Sequence, residues 1–159
     1  MSIAIENVPQ QANRVKLYLG GRTMGEVRAT IRLTNAFDAM SCDRGLISED
    51  AVRQIEVDAM IDTGAVQTVI PLELMEELGI RIKSQRFVTL ADGRMAEVPV
   101  TEGVFVEVMG RDTFEECVVL GNEVLIGQTI LEKTDLLVDC ARARLVSNPA
   151  HPDGPVFRV

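Results

Sequence analysis

The sequence predicts a mostly-β domain, a barrel or sandwich-like packing of many short strands with one or two short helices. Three observations predict it. Apolar and polar residues alternate with period 2 from Gly25 onward, at Val27, Ala29, Ile31 and Leu33 and again at Val104, Val106 and Val108. An Asp92-Gly93 pair separates two strand-like runs, which is a strong hairpin signal. Helical spacing is confined to two short stretches, and no internal repeat or low-complexity segment interrupts the pattern.

The elements follow in order. Residues 1–22 lack a clear period and read as an N-terminal extension of uncertain order, although Val15-Lys16-Leu17-Tyr18-Leu19 has strand character. The domain is assigned to residues 23–149. After the first alternating strand, Asn35 to Asp50 is polar and loop-like. Val52 to Ile61 reads as a strand or a bent pair of strands, and its continuously apolar end should be buried. Val66 to Ile70 is another short strand. Pro71 to Leu78 reads as a two-turn helix with Pro71 at its first position, Leu72, Met75 and Leu78 on one face, and Gly79 just past its end. The runs Arg86–Leu90 and Met95–Val100 form the hairpin around Ala91-Asp92-Gly93-Arg94. Gly103–Met109 and Phe114–Leu120 are further strands, and Leu125-Ile126-Gly127 is a short apolar run ended by glycine. Gln128 to Lys133 has room for one helical turn or two, and Leu136–Val138 and Arg144–Val146 close the domain. Residues 150–159, rich in Pro and Gly, read as a tail.

Composition limits the chemistry. The chain has 159 residues, 47% apolar and 25% charged, enough for one domain with a substantial core. Its net charge of −8 argues against nucleic acid as a partner, because phosphate binding needs clustered Lys and Arg. The basic residues are scattered, as at Arg28 and Arg32, Arg81 and Lys83, and Arg142 and Arg144, and most read as solvated strand faces. No apolar run approaches the roughly 20 residues of a membrane span, and the first residues lack a secretory pattern. Cys42, Cys117 and Cys140 are widely spaced, which suits reduced cytoplasmic thiols better than a disulfide framework or a zinc site. His151, the single histidine, lies in the tail and reads as a solvated side chain, so a Ser-His-Asp or Cys-His centre has little to stand on.

The run Ala59-Met60-Ile61-Asp62-Thr63-Gly64-Ala65 carries the functional signal. A carboxylate follows an apolar strand and sits directly before a tight turn. Two carboxylates about 3 Å apart can share one proton and activate a water for peptide hydrolysis without metal or cofactor. Gly64 would let the backbone fold closely around the carboxylate, Thr63 would stiffen the loop and can turn its hydroxyl inward, and Ala65 would leave room beneath a substrate. The triplet occurs once, so a complete pair requires two copies of the chain.

Asp62-Thr63-Gly64-Ala65, the hairpin at Leu90-Ala91-Asp92-Gly93, and Val124-Leu125-Ile126-Gly127-Gln128 followed by Leu131-Glu132 occur in that order. Their order and spacing resemble those of retropepsin-like (retroviral-type) aspartic proteases, especially small bacterial members, over roughly Met24 to Pro149. The resemblance implies a closed single-domain β-barrel, a homodimer and an aspartic endopeptidase acting on protein or peptide substrates. It implies that Asp62 is catalytic, that Thr63 hydrogen-bonds across the dimer, and that Gly64 and Ala65 shape the loop. Ala91, Asp92, Gly93 and Arg94 would match the flap that closes over substrate. Leu125, Ile126 and Gly127 would match the element packed behind the catalytic loop. Two positions depart from the pattern: Val66 stands where the family often has a polar residue, and Gln128 where retroviral members usually have an ion-pairing arginine. A catalytically weak or inactive dimerisation or peptide-binding module of the same fold is the competing function, and a monomeric β-domain with a plain Asp-Thr-Gly turn is a third.

Overall fold

The computed structural model describes residues 25–159, so the N-terminal extension and the strand-like run Val15–Leu19 lie outside the described residues. Strand β1 (Val27–Asn35) and strand β2 (Gln54–Ile61) pair antiparallel from Val27↔Ile61 to Thr34↔Gln54. Alternation decides which side faces inward: Val27, Ile31 and Leu33 from β1, and Ile55, Val57, Ala59 and Ile61 from β2, are buried. Strand β3 (Val69–Ile70) and helix α2 (Leu72–Glu77) follow, then β4 (Ile82–Thr89), β5 (Met95–Val108), β6 (Arg111–Val119) and β7 (Leu125–Ile126). Helix α3 (Gln128–Thr134) and a separate antiparallel pair, β8 (Leu136–Asp139) and β9 (Arg144–Ser147), complete the chain.

The strands form a ring. Their order is β1-β2-β7-β3-β6-β5, and β5 returns to β1 through Ile31↔Val108 to Asn35↔Val104. Inside it Ile31, Leu33, Ile70, Val104, Val106, Val108 and Ile126 are almost fully buried, and Leu136 and Leu145 of the β8–β9 pair join the same core. Strand β4 lies outside the ring, paired only to β5. The 14 residues of β5 therefore serve two structures: Gly103 to Val108 belong to the ring, and Met95 to Val100 to a hairpin with β4. A register shift between Val100 and Gly103 separates the two halves.

Several expectations are corrected. Among the described residues there are three short α-helices rather than one or two, because the polar stretch after β1 contains helix α1 (Ala36–Asp43). Its N-cap is Asn35, whose side-chain oxygen accepts the Asp38 N–H at 3.1 Å while its amide donates to the Leu78 carbonyl at 3.0 Å. The buried face of α1 is Ala36, Asp38 and Ser41, small and polar, so it leaves no apolar period to read. The strand expected over Val66–Ile70 shrinks to two residues. Pro71 is the N-cap of α2 rather than its first residue, and Leu74 and Met75 form the buried face in place of half-exposed Leu72. Arg28 is no solvated side chain. It is 7% exposed and donates to the Asp58 carboxylate at 2.7 Å and to Glu123 at 3.1 Å. His151 is half-buried, with Nδ1 2.6 Å from Asp135 Oδ2, and Arg111 donates to its carbonyl at 2.9 Å.

Asp38 ties α1 to Arg53, the residue just before β2. Its carboxylate accepts from the Arg53 side chain at 2.7 and 2.8 Å and from the Arg53 backbone N–H at 3.1 Å. The guanidinium hydrogen bonds hold its pKa below the usual carboxylate range, against burial, which would raise it. A depressed folded-state pKa contributes stability that is present above the unfolded value and lost as pH falls through the folded one. Arg53 is half exposed, so the contribution is discounted to about 1–2 kcal/mol. Asp38→Asn is expected to lower Tm at neutral pH, and the gap from wild type should narrow below about pH 4. Thermal unfolding of both proteins from pH 7 to pH 3 checks this, and a gap independent of pH would contradict it.

Candidate active site

The loop from Asp62 to Gln67 begins where β2 ends. Strand β2 runs parallel to β7, with Met60 opposite Leu125 and Ile61 opposite Ile126. Met60 N–H donates to the Val124 carbonyl at 2.9 Å and Asp62 N–H to the Ile126 carbonyl at 3.0 Å. The main chain of Asp62 is thereby fixed to Ile126, the fully buried last residue of β7. The Asp62 carboxylate is half-buried, and its Oδ1 accepts the Gly64 N–H at 2.9 Å. The Ala65 N–H closes the turn on the Asp62 carbonyl at 3.2 Å. A Cβ at position 64 would sit 3.2 Å from Asp62 Oδ1, tighter than ordinary contact, so glycine keeps the space beside the carboxylate clear.

Gly127 is required by closeness rather than by torsion. A Cβ there would lie 2.7 Å from the Gln67 carbonyl oxygen and 2.8 Å from both Gln67 C and Val66 O. The turn between β7 and α3 is thus pressed directly onto the main chain of the loop. Immediately afterwards, Gln128 N–H donates to the Ala65 carbonyl at 2.8 Å, and Val66 O accepts both Thr129 N–H at 3.2 Å and Thr129 Oγ1–H at 2.6 Å. Helix α3 has no side-chain cap. The loop carbonyls serve instead, satisfying donors that a helix start leaves unpaired.

Of the residues singled out from sequence, the fold brings together Asp62, Thr63, Gly64 and Ala65 with Leu125, Ile126 and Gly127. Thr63 is exposed and lines a cavity of about 450 Å³ with Gln128, Leu131, Glu132, Asp135, Leu136, Leu137 and Val138. Gln128 turns its amide along α3 to Glu132 Oε1 at 3.2 Å. Val66 is 71% exposed, an apolar side chain presented beside the loop.

The hairpin residues are not joined to Asp62 by any hydrogen bond or ion pair among the described residues. Ala91, Asp92, Gly93 and Arg94 are all exposed. Leu90 N–H donates to the Arg94 carbonyl and Gly93 N–H to the Leu90 carbonyl, both at 2.8 Å, with Gly93 at φ +83°. That is the three-residue turn closed by a left-handed glycine. The Arg94 N–H, and after it the Arg94 guanidinium, hold the Asp92 carboxyl below its usual pKa. The base of the hairpin packs toward β3, which follows the loop. Val88 and Ala96 lie on a small apolar cluster of Val98, Val100 and Val118, which Val69 of β3 shares.

Sequence reasoning overlooked Thr129. Its hydroxyl makes one of the shortest hydrogen bonds to the loop, yet a lone threonine after Leu-Ile-Gly-Gln carries no periodic or motif signal. The other chemistry is modest. All three cysteines are free thiols, and burial pushes the Cys117 thiol up to about 12. Among the described residues no cluster of His, Cys, Asp and Glu could hold a metal, and no helix is long and apolar enough to cross a membrane.

No curated protein matches the chain. The family model described as gag-polyprotein putative aspartyl protease matches residues 51–133, just over half of the chain. That span holds β2, the Asp62 loop, the hairpin, Gly127 and most of α3. With the strand, the Asp-Thr-Gly turn and the glycine behind it all inside the match, the chain belongs to this retropepsin-like aspartyl protease family.

Proposed function

We propose that the chain is an aspartic endopeptidase that works as a homodimer, each subunit supplying Asp62 to one shared site. One observation carries the reading. The Asp62 carboxylate stands half-exposed at a strand end, in a turn held by Ile126, Gly64 and the start of α3, and no second Asp-Thr-Gly or Asp-Ser-Gly exists in the chain. Two such carboxylates brought face to face by a two-fold axis cannot both ionise, and they hold one proton between them. The ionised member takes a proton from water as the water attacks the scissile carbonyl. The protonated member hydrogen-bonds the carbonyl oxygen as it becomes tetrahedral. The half-protonated pair is the working state, so cleavage falls on both sides of a pH optimum. The exposed hairpin at Ala91–Arg94 would fold over an extended peptide and exclude water, with Gly93 giving the tip its turn. Thr63, whose exposed side chain lies beside the Leu131–Leu137 cavity, would face the partner subunit.

The dimer makes the site testable by mixing. Wild-type protein co-refolded with a ninefold excess of Asp62→Asn is expected to retain about a tenth of its cleavage per wild-type subunit, because random pairing leaves few subunits with an intact partner. Unchanged activity per wild-type subunit would show that one chain suffices and would refute the shared site. Peptide binding without hydrolysis by pure wild type would assign the chain to the non-catalytic module.

A further inference from the structure

We propose that Thr129 is a positioning residue for this site, acting through the Val66 carbonyl; the proposal rests on the proteolytic reading above. Three observations converge on one peptide group. Val66 O accepts two hydrogen bonds from the same residue, Thr129 Oγ1–H at 2.6 Å and Thr129 N–H at 3.2 Å. The Gly127 Cα approaches so closely that a Cβ would be 2.8 Å from that same oxygen. The Val66 side chain is 71% exposed and cannot itself anchor the segment, so its carbonyl does.

The consequence is orientational. All peptide bonds of the described residues are trans, so the N–H of Gln67 points opposite to the Val66 carbonyl. With that carbonyl held against α3, the Gln67 N–H is turned away from the helix. The Asp62 carboxylate is held separately, by the Asp62 N–H bond to Ile126 and by the Gly64 N–H. Thr129 therefore governs the segment that follows the reacting carboxylate and leaves the carboxylate itself alone. Where the family pattern offers a polar side chain at 66 and an arginine at 128, this chain has Val66 and a Gln128 turned toward Glu132. A hydroxyl-to-carbonyl bond from the next residue of α3 does the holding.

The experiment compares Thr129→Val, which removes the hydroxyl at nearly constant shape, with Thr129→Ser, which keeps it. For peptide cleavage, Thr129→Val is expected to raise KM about five- to tenfold with kcat within about twofold, the scale of one neutral hydrogen bond, and Thr129→Ser to restore KM. A purely structural role would instead lower the active fraction and hence kcat at unchanged KM, which would overturn the proposal. Amide hydrogen exchange gives a readout independent of proteolysis. The Gln128 N–H, which donates to the Ala65 carbonyl at 2.8 Å across the same loop–helix junction, should exchange about five- to tenfold faster in Thr129→Val and return to the wild-type rate in Thr129→Ser. An unchanged Gln128 rate overturns the proposal even if the protein cleaves nothing, whereas accelerated exchange without any wild-type cleavage supports the positioning and refutes only the proteolytic reading.

Discussion

Asp62→Asn is expected to lower peptide cleavage by about 10³-fold or more while the fold, the Tm and the oligomeric state stay as in wild type. The substitution is close to isosteric, and its surviving oxygen can still accept the Gly64 N–H that Oδ1 accepts at 2.9 Å. The Asp62 N–H bond to the Ile126 carbonyl involves no side chain and is untouched. The loop therefore has every reason to keep its shape. Under the proposed mechanism, what disappears is the ability of two Asp62 carboxylates to hold one proton between them, and with it both the base and the acid of the reaction. The check is cleavage of a mixed peptide pool from acidic to neutral pH, run beside thermal unfolding and gel filtration. Undiminished cleavage by the variant would remove Asp62 from the mechanism.

Gly127→Ala is expected to be the most damaging single-methyl change in the described residues. Its Cβ would lie 2.7–2.8 Å from three main-chain atoms of Val66 and Gln67, and main chain cannot swing aside as a side-chain tip can. Gly103 makes a useful contrast: an added Cβ there would meet the Phe114 ring at 2.1 Å, but that ring is 47% exposed and can rotate outward. At Gly127 either β7 shifts in a closely packed core or the loop moves off the start of α3. Overpacking of this kind costs about 2–3 kcal/mol, which for a chain of this size lowers Tm by about 6–10 °C. The displaced loop should also lose at least about tenfold in cleavage. Calorimetry of Gly127→Ala and Gly103→Ala side by side tests the argument, and equal losses in Tm would contradict it.

Much of the strand architecture was legible because period 2 is a direct imprint of a sheet with one buried face. Ile31 and Leu33, and Val104, Val106 and Val108, face inward as their alternation requires. Helix α1 was illegible for the opposite reason. It buries Ala36, Asp38 and Ser41, and its anchors are distant in sequence: Arg53 pairs with Asp38, and the Leu78 carbonyl accepts from the Asn35 cap. Arg28 is similar: its type suggests a solvated face, and only Asp58 and Glu123, brought near by folding, allow its burial. Val66 to Thr68 has strand composition but does not continue β3. The carbonyls of Ala65 and Val66 are occupied by α3, which no local propensity encodes. At the site, the Asp-Thr-Gly turn and the glycine behind it could be read from residue order. Thr129 could not, since its part depends on one hydroxyl reaching a carbonyl 63 positions away.

The divided course of β5 has a kinetic consequence. Residues 104–108 are laddered on both sides inside the ring, whereas Met95 to Val98 have a ladder partner only in β4, itself an edge strand with mostly exposed side chains. The upper half can come apart locally by losing one ladder and the small Val98 cluster, whereas the lower half opens only with the whole core. One continuous strand thus contains two cooperative units, joined at the irregularity between Val100 and Gly103. The hairpin is in effect a semi-autonomous foldon on a rigid base. Substitution at Val88 or Ala96, which pack on the Val98 cluster from the hairpin side, is expected to change the hairpin's opening frequency more than the global stability of the ring, as hydrogen exchange of the Met95–Val98 amides would show.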